Sequence, residues 1–125
     1  MKFEVTQKGE WKHTFKLLAH CQTFDPVPLL HKYGRRCVRF LEENTPVDTG
    51  KTANSWHYEV AFENYYYYIR FYNSNVNDGV PIAIILQYGH ATRGGTWVEG
   101  RDFINPSVRE AFEGFAKDLW KEVLP

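Results

Sequence analysis

The chain has 125 residues, of which 43% are hydrophobic, a composition that excludes global disorder and favours one domain with a modest core. Its 15 basic and 15 acidic residues give a formal net charge of zero, which offers no electrostatic reason to bind nucleic acid or a membrane surface. We therefore expect neither partner. Aromatic residues make up 17% of the chain, and tyrosine and tryptophan are favoured at protein interfaces.

The chain start and the cysteines bear on the compartment. Residues 1–11 lack the apolar stretch of a signal peptide, and no apolar run approaches the ~20 residues of a membrane-spanning helix. Cys21 and Cys37 are separated in sequence without a CxxC pattern. We expect both to be reduced and to act as small hydrophobic residues in a protein of the cytoplasm.

The first half of the chain is predicted to be mainly helical. Residues 2–6 alternate as in a short strand, and residues 10–21 carry apolar side chains at helical spacing. Residues 29–44 form the second predicted helix, whose Gly34 costs about 1 kcal/mol relative to alanine. We expect this glycine to let a neighbouring element approach closely. The apolar face of the helix comprises Leu30, Tyr33, Cys37, Phe40 and Leu41.

A segment rich in turn-forming residues, 44–55, follows the second helix. Pro46 is predicted to end that helix, because the residue before a proline is disfavoured in the α region. Asp48 is suited to bonding backbone amides, and Gly50 to an unusual backbone dihedral. We interpret Pro46, Asp48 and Gly50 as a constrained structural corner.

Two aromatic segments then predict a β-hairpin. Apolar and polar residues alternate over 56–62, and residues 65–72 read YYYYIRFY, with a tight turn between the two segments. If one face packs on a helix, the other still carries Tyr66, Tyr68 and Tyr72. A row of exposed tyrosines favours a protein interface.

The least common residues of the chain fall in the segment 86–106, after a polar loop at 73–79 and an apolar stretch at 80–88. The apolar stretch predicts a buried strand or a short helix. Trp97 lies in a predicted short return strand. Because glycine permits positive φ or a close backbone approach, the glycines here predict a shaped, projecting loop or hairpin. They are Gly89, Gly94, Gly95 and Gly100.

The final helix is predicted to begin with Asn105 as its cap and Pro106 in its first position. Apolar residues then form a continuous helical stripe over 108–123. Together the elements predict an α+β fold: a small antiparallel β-sheet packed against two or three α-helices, with a long glycine-rich β-arm or loop. We expect a single domain over residues 1–125.

Signals of catalysis or of a cofactor are weak. His90, Glu99 and Asp102 are close in sequence, but nothing in their spacing fixes them on one face. There is no HExxH or CxxC spacing that predicts zinc, and GHATRGG lacks the lysine and hydroxyl of a phosphate loop. A single Arg-Gly-Gly is weak evidence for RNA binding. We predict no catalytic residues, no cofactor and no metal.

Three ordered segments point to a known family. They read TPVDTGKTANSW at 45–56, IRFYN at 69–73 and ILQYGHATRGGTWVEGRDFINPSV at 85–108. In order and spacing they resemble the small neck and tail-completion proteins of long-tailed bacteriophages, the gene-product-ten family of lambdoid siphophages. The resemblance covers roughly residues 30–123.

The family pattern is a T-P-x-D-T-G corner followed by a serine, then an E/Q-[FY]-G segment, then an aromatic-x-x-P-[AS] start to the final helix. This chain matches the corner at 45–50, the serine at Ser55, the middle segment at 87–89 and the helix start at 103–107. Many members carry Leu-Arg after the corner, where this chain has Lys51-Thr52.

The resemblance implies a structural, non-enzymatic virion protein of the head–tail junction. Its partners would be copies of itself in a ring and the adjacent head-connector and tail proteins. Its location would be the virion, and the host cytoplasm during assembly. Residues 26–125 would form the tail-component-like core, and residues 1–25 an N-terminal extension or helix.

A ring subunit needs two complementary surfaces that close on each other. We expect the arm at 89–101 to be mobile in the isolated monomer and ordered on assembly. Two alternatives are a non-phage module that binds a protein or peptide, and a small metal-dependent hydrolase using His90 with Asp102 or Glu99. The residues predicted to make interface contacts are Tyr66, Tyr68, Tyr88, His90, Arg93, Trp97, Glu99 and Arg101.

Overall fold

The computed structural model of the chain describes residues 12–46 and 50–124. The strands pair as three antiparallel two-stranded ladders, β1–β2, β3–β4 and β5–β6, and this mixture of helices and ladders confirms the predicted α+β class. The strand predicted at 2–6 lies outside the described residues. In chain order the elements are α1 (Lys12–Thr23), α2 (Val27–Asn44), a 3₁₀ helix (Ala53–Ser55), β1 (Trp56–Glu63), β2 (Tyr66–Asn73), β3 (Val76–Asn77), β4 (Val80–Pro81), α3 (Ile82–Tyr88), β5 (Gly89–Ala91), β6 (Trp97–Glu99), α4 (Ile104–Ala111) and α5 (Phe115–Val123).

The chain divides into two compact units. The larger unit is Val27–Glu113, and it contains all six strands of the described chain. The smaller unit consists of the segments Met1–Pro26 and Gly114–Pro125, of which residues 12–26 and 114–124 are described. The single domain predicted for residues 1–125 stays a prediction.

The larger unit is built on α2. Apolar residues recur along this helix at steps of three and four, so one face is buried and confirms the predicted core stripe. Cys37 and Leu41 are fully buried at its centre. The other buried members of the cluster around them are Trp56, Ala83, Phe103 and Ala111.

The β1–β2 hairpin packs on α2 at Gly34. The register runs from Trp56 opposite Asn73 to Glu63 opposite Tyr66, which confirms the predicted hairpin. A Cβ on Gly34 would lie 2.6 Å from two ring carbons of Tyr58 in β1, so only glycine admits this ring. The close approach that we expected at Gly34 is therefore confirmed.

Thr45 holds the start of the segment between α2 and β1. Its hydroxyl donates to the Leu41 carbonyl at 2.5 Å and accepts from the Trp56 indole Nε1 at 2.8 Å. Both Thr45 and Trp56 are buried, and a buried indole N–H needs such an acceptor. This pair joins the C-terminus of α2 to the first residue of β1.

Thr52 holds the other end of the same segment. Its carbonyl accepts from Asn73 Nδ2 at 2.8 Å, and its hydroxyl accepts from Asn75 Nδ2 at 2.8 Å. Gly50 has φ of +83°, which confirms the unusual dihedral predicted there. Asp48, the third predicted corner residue, lies outside the described residues.

In the smaller unit, α1 and α5 lie side by side. His20 Nε2 donates to the Glu122 carbonyl at 2.7 Å. The helix predicted at 10–21 is confirmed, with described bounds Lys12–Thr23, although none of these residues is buried. Apolar side chains of both helices, including Phe15 and Trp120, are largely exposed.

Two predicted elements differ from the structure. The continuous helix over 108–123 is wrong, because α4 ends at Ala111 and α5 begins at Phe115 after Gly114 with φ of +84°. A left-handed glycine ends a helix more strongly than an apolar stripe continues it. The polar loop at 73–79 contains half of a small hairpin, with Asp78 and Gly79 in its turn at positive φ. The stretch at 80–88 is mainly the short helix α3.

The two cysteines are expected to react at very different rates. Burial raises the pKa of the Cys37 thiol to about 11, whereas Cys21 is exposed. Because the thiolate is the reactive form, a disulfide reagent at about pH 8 should label Cys21 alone in the native chain. The second thiol should react only on unfolding, and Cys21→Ser should remove the fast phase. Fast labelling of both native thiols would contradict this packing.

Candidate functional site

The segment 89–101 forms a β-arm. Its two short strands, β5 and β6, pair with Ala91 opposite Trp97. The turn is closed by the Thr92 amide, which donates to the Thr96 carbonyl at 2.8 Å, and by a hydroxyl–hydroxyl bond of 2.9 Å between the same residues. The predicted glycine-rich arm is thus a hairpin, and the return strand predicted at Trp97 is confirmed.

The base of the arm is a close crossing of two backbones. A Cβ on Gly100 would lie 2.5 Å from the Gln87 carbonyl oxygen and 2.5 Å from the Gly89 nitrogen. A Cβ on Gly89 would lie 2.6 Å from the Val98 carbonyl oxygen, and its φ is +85°. Real side chains do not tolerate such overlaps, so both positions require glycine. Gly95, in the turn of the arm, has open space around it.

Gln87, at the end of α3, ties the arm to the start of α4. Its side-chain oxygen accepts from the backbone amides of Phe103 at 3.0 Å and Ile104 at 2.9 Å. Its Nε2 donates to Asp102 Oδ1 at 2.6 Å. The first amides of a helix have no partner within it, and here a buried glutamine from another element supplies the acceptor.

The predicted cap of the final helix is wrong. The helix begins at Ile104, so Asn105 and Pro106 lie inside its first turn. Asn105 Nδ2 instead donates to Asp102 Oδ1 at 3.1 Å. Because Gln87 accepts from the Phe103 and Ile104 amides, the Asn105 side chain is available to donate to the Asp102 carboxylate.

Arg101 fixes the C-terminal end of the arm at its base. Its Nη2 donates to the Asn44 carbonyl at 2.6 Å, and its backbone amide donates to the Leu86 carbonyl at 3.0 Å. Asn44 is the last residue of α2, where a cation is favoured by the exposed carbonyls of the helix. Arg101 was predicted as an interface contact, and in this structure it holds the arm to α2.

Acid is expected to weaken this junction. The hydrogen bond from Gln87 is the largest cause that lowers the pKa of Asp102, and bonds from Asn105 add to it. A lowered folded pKa gives stability that is present above the ordinary carboxyl pKa and lost as pH falls through the folded value. We expect the stability difference between wild type and Asp102→Asn to shrink as the pH falls below about 4. A difference that is constant from neutral pH to about pH 2 would contradict the assignment.

The arm and the first hairpin both carry exposed aromatic side chains. Trp97 on the arm is 57% exposed, Tyr88 at the end of α3 is 68% exposed, and Tyr66 and Tyr68 on the hairpin are also exposed. Neither Tyr88 nor Trp97 is therefore a core residue. Arg93 and Glu99 are exposed on the arm as well.

The residues named for the hydrolase alternative are His90 with Asp102 or Glu99. His90 lies opposite Val98, and Glu99 lies opposite Gly89, so strand alternation places the His90 and Glu99 side chains on opposite faces of the arm. The Asp102 carboxylate is bonded by Gln87 and Asn105. This geometry weighs against the hydrolase alternative. Among the described residues there is also no group of three metal-ligating side chains.

Known proteins add no further evidence. The chain matches no family model, no curated protein and no solved structure. Within the described ranges, no helix is long and apolar enough to cross a membrane.

Two residues with structural hydrogen bonds were not predicted as site residues from the sequence. Gln87 and Thr45 act through contacts with residues 11 to 17 positions away, which periodicity does not report. The signal that existed was their place in the family pattern, where Thr45 starts the corner and Gln87 starts the middle segment. The structure gives both positions a physical role.

Proposed function

We propose that this chain is a structural virion protein of the phage head–tail junction, a neck or tail-completion component. It acts by binding copies of itself and the adjacent head-connector and tail proteins. The observation that carries the proposal is the exposed aromatic surface on two β-hairpins of one unit. The resemblance of three ordered segments to tail-completion proteins supports the same conclusion.

The exposed residues favour protein contacts over the alternatives. Tyr88, Trp97, Tyr66 and Tyr68 are large aromatic side chains in water, and tyrosine and tryptophan dominate the binding energy of protein interfaces. Trp97 lies on the arm, Tyr66 and Tyr68 lie on the first hairpin, and Tyr88 ends α3, so more than one surface is available for the two contacts that a ring subunit makes. The zero net charge leaves little repulsion between copies.

The rigid base of the arm supports an assembly role. Gly89 and Gly100 cross closely, Gln87 bonds the start of α4, and Arg101 bonds the end of α2. An arm fixed at its base and exposed at its tip holds its side chains within reach of a partner. His90 Nδ1 is buried without a hydrogen-bond partner in the described part of the chain.

Light scattering coupled to size exclusion and negative-stain electron microscopy test self-assembly. We expect the purified full chain to form closed rings as its concentration rises. A monomer that instead binds a peptide along the arm would support the non-phage binding module and contradict this proposal.

Genetics tests the place in the virion. Capsid and portal genes upstream and a tail-tube gene downstream are expected beside this gene. Deleting it should give heads and tails that do not join, and the full chain supplied in trans should restore joined particles. Normal virions from the deletion would contradict the proposal.

A further inference from the structure

We infer that Trp97 on the arm of one copy docks in an apolar cleft on a second copy of this chain. The cleft lies in the larger unit, between the first hairpin and the start of α3. It is lined by Trp56, Phe71, Tyr72, Asn73, Pro81, Ala83 and Ile84. The inference rests on the proposed self-assembly and names the contact that would carry it.

The size of the cleft favours a single side chain. Its volume is about 240 Å³, below the roughly 300–1,000 Å³ of pockets for small-molecule ligands. Its walls are mainly aromatic and aliphatic, and a tryptophan in an apolar pocket is a common centre of an interface. Trp97 is 57% exposed, and its ring lies over Gly89 at the base of its own arm.

The charges beside the two surfaces are complementary. Between Arg70 and Glu99 the sequence has two formally charged residues, Asp78 and Arg93. Asp78 lies in the turn of the β3–β4 hairpin, whose Pro81 lines the cleft. Neither Arg93 nor Asp78 makes an ion pair with the described residues. The arm therefore carries a cation, and the hairpin that contributes Pro81 to the cleft carries an anion.

The spacing of these charges also agrees. Arg93 lies two residues beyond the pair of Ala91 and Trp97, and Asp78 lies two residues beyond the pair of Val76 and Pro81. Both charges therefore lie in the turn of a hairpin, next to the strand pair that carries the apolar contact. Trp97 seated against Pro81 would therefore bring Arg93 towards Asp78 of the second copy.

The test measures self-association of the full chain by sedimentation velocity. Trp97→Ala should raise the dissociation constant about 30-fold or more, as truncation of a central anchor does. The matched control is Val98→Ala, because Val98 is its neighbour on the opposite face of the same strand and should leave association near wild type. Circular dichroism confirms that each variant is folded.

A double-mutant cycle tests the charge pair. Arg93→Gln and Asp78→Asn should each weaken association by roughly two- to five-fold, and the double variant no more than the stronger single variant. Asparagine is chosen because Asp78 has φ of +51°, which asparagine tolerates. Arg35→Gln, an exposed change on α2, is the control for the loss of a cation. Multiplying effects would contradict the pairing.

Crosslinking tests the contact without removing the tryptophan. In a Cys21→Ser background, copies with Thr96→Cys are mixed with copies with Ile84→Cys, and a short bismaleimide should join the two kinds. If the Trp97→Ala variant still forms rings and the two cysteine variants are not crosslinked, the docking inference is overturned and the proposed function stands. The same holds if a small apolar molecule occupies the cleft and self-association is unchanged. A monomer at every concentration overturns both.

Discussion

Replacing Trp56 with alanine is expected to lower the free energy of unfolding by about 4 kcal/mol. The indole is 7% exposed and packs edge-on against Phe103, with ring centroids 6.5 Å apart. Its Nε1 donates to the Thr45 hydroxyl. Alanine would leave a cavity and would also leave the buried Thr45 hydroxyl without this donor. Trp56 thus stabilises both the core and the junction between α2 and β1.

Chemical denaturation measures this effect, and Trp120→Ala provides the control. Trp120 is 59% exposed on α5, so the identical substitution should change the free energy of unfolding by less than about 1 kcal/mol. Equal effects at the two positions would contradict the assignment of Trp56 to the core.

Replacing Gly100 with alanine is expected to destabilise the protein by about 3 kcal/mol. The added methyl group would meet the Gln87 oxygen, the Gly89 nitrogen and the Tyr88 carbonyl carbon within 2.6 Å. These are backbone atoms at the crossing of two segments, so they cannot move aside as a flexible side chain does. The base of the arm must open, and the Gln87 bonds to the start of α4 lie beside it.

Gly94→Ala is the matched control for this prediction. Gly94 belongs to the same arm, and its nearest neighbours would lie 3.9 Å from a new Cβ. We expect its free energy of unfolding, measured by thermal or chemical denaturation, to stay within about 0.5 kcal/mol of wild type. A Gly100→Ala variant as stable as Gly94→Ala would mean that the two backbones do not cross as described.

The fold was predictable where apolar residues recur with the short period of a helix or a strand. The period of three to four residues in α2 and the alternation in β1 depend only on neighbours in the chain, and both predictions were confirmed. Gly34 was also predictable, because a glycine inside a strong helix needs a packing reason. Tyr58 supplies that reason.

Other features depended on contacts that local patterns do not report. Asparagine is a favoured cap, but the amides at the start of α4 donate to Gln87, which belongs to a different helix, and not to Asn105. Gly114 was hidden within an apolar stripe that continues on both sides of it, yet its left-handed conformation ends α4. The candidate site was therefore predicted in its location and aromatic content, and missed in the bonds that fix its base.

The arm connects the fold to the proposed function. Its base is fixed by Gly89, Gly100 and Arg101. Its tip is closed by local bonds among Thr92, Gly95 and Thr96, and the arm carries the exposed Trp97. Short strands with exposed backbone bonds open easily, and burial against a partner removes that freedom. We therefore expect the amides of the arm to be protected differently in the free and assembled states.

Hydrogen exchange followed by mass spectrometry tests this claim most directly. Peptides spanning residues 89–101 are compared between a proven monomer and the assembled chain, with peptides from α2 as the internal reference. We expect the amides of the arm to exchange fast in the monomer and to become protected on assembly, while α2 stays protected in both. Full protection of the arm in the monomer, or no change on assembly, would contradict the account.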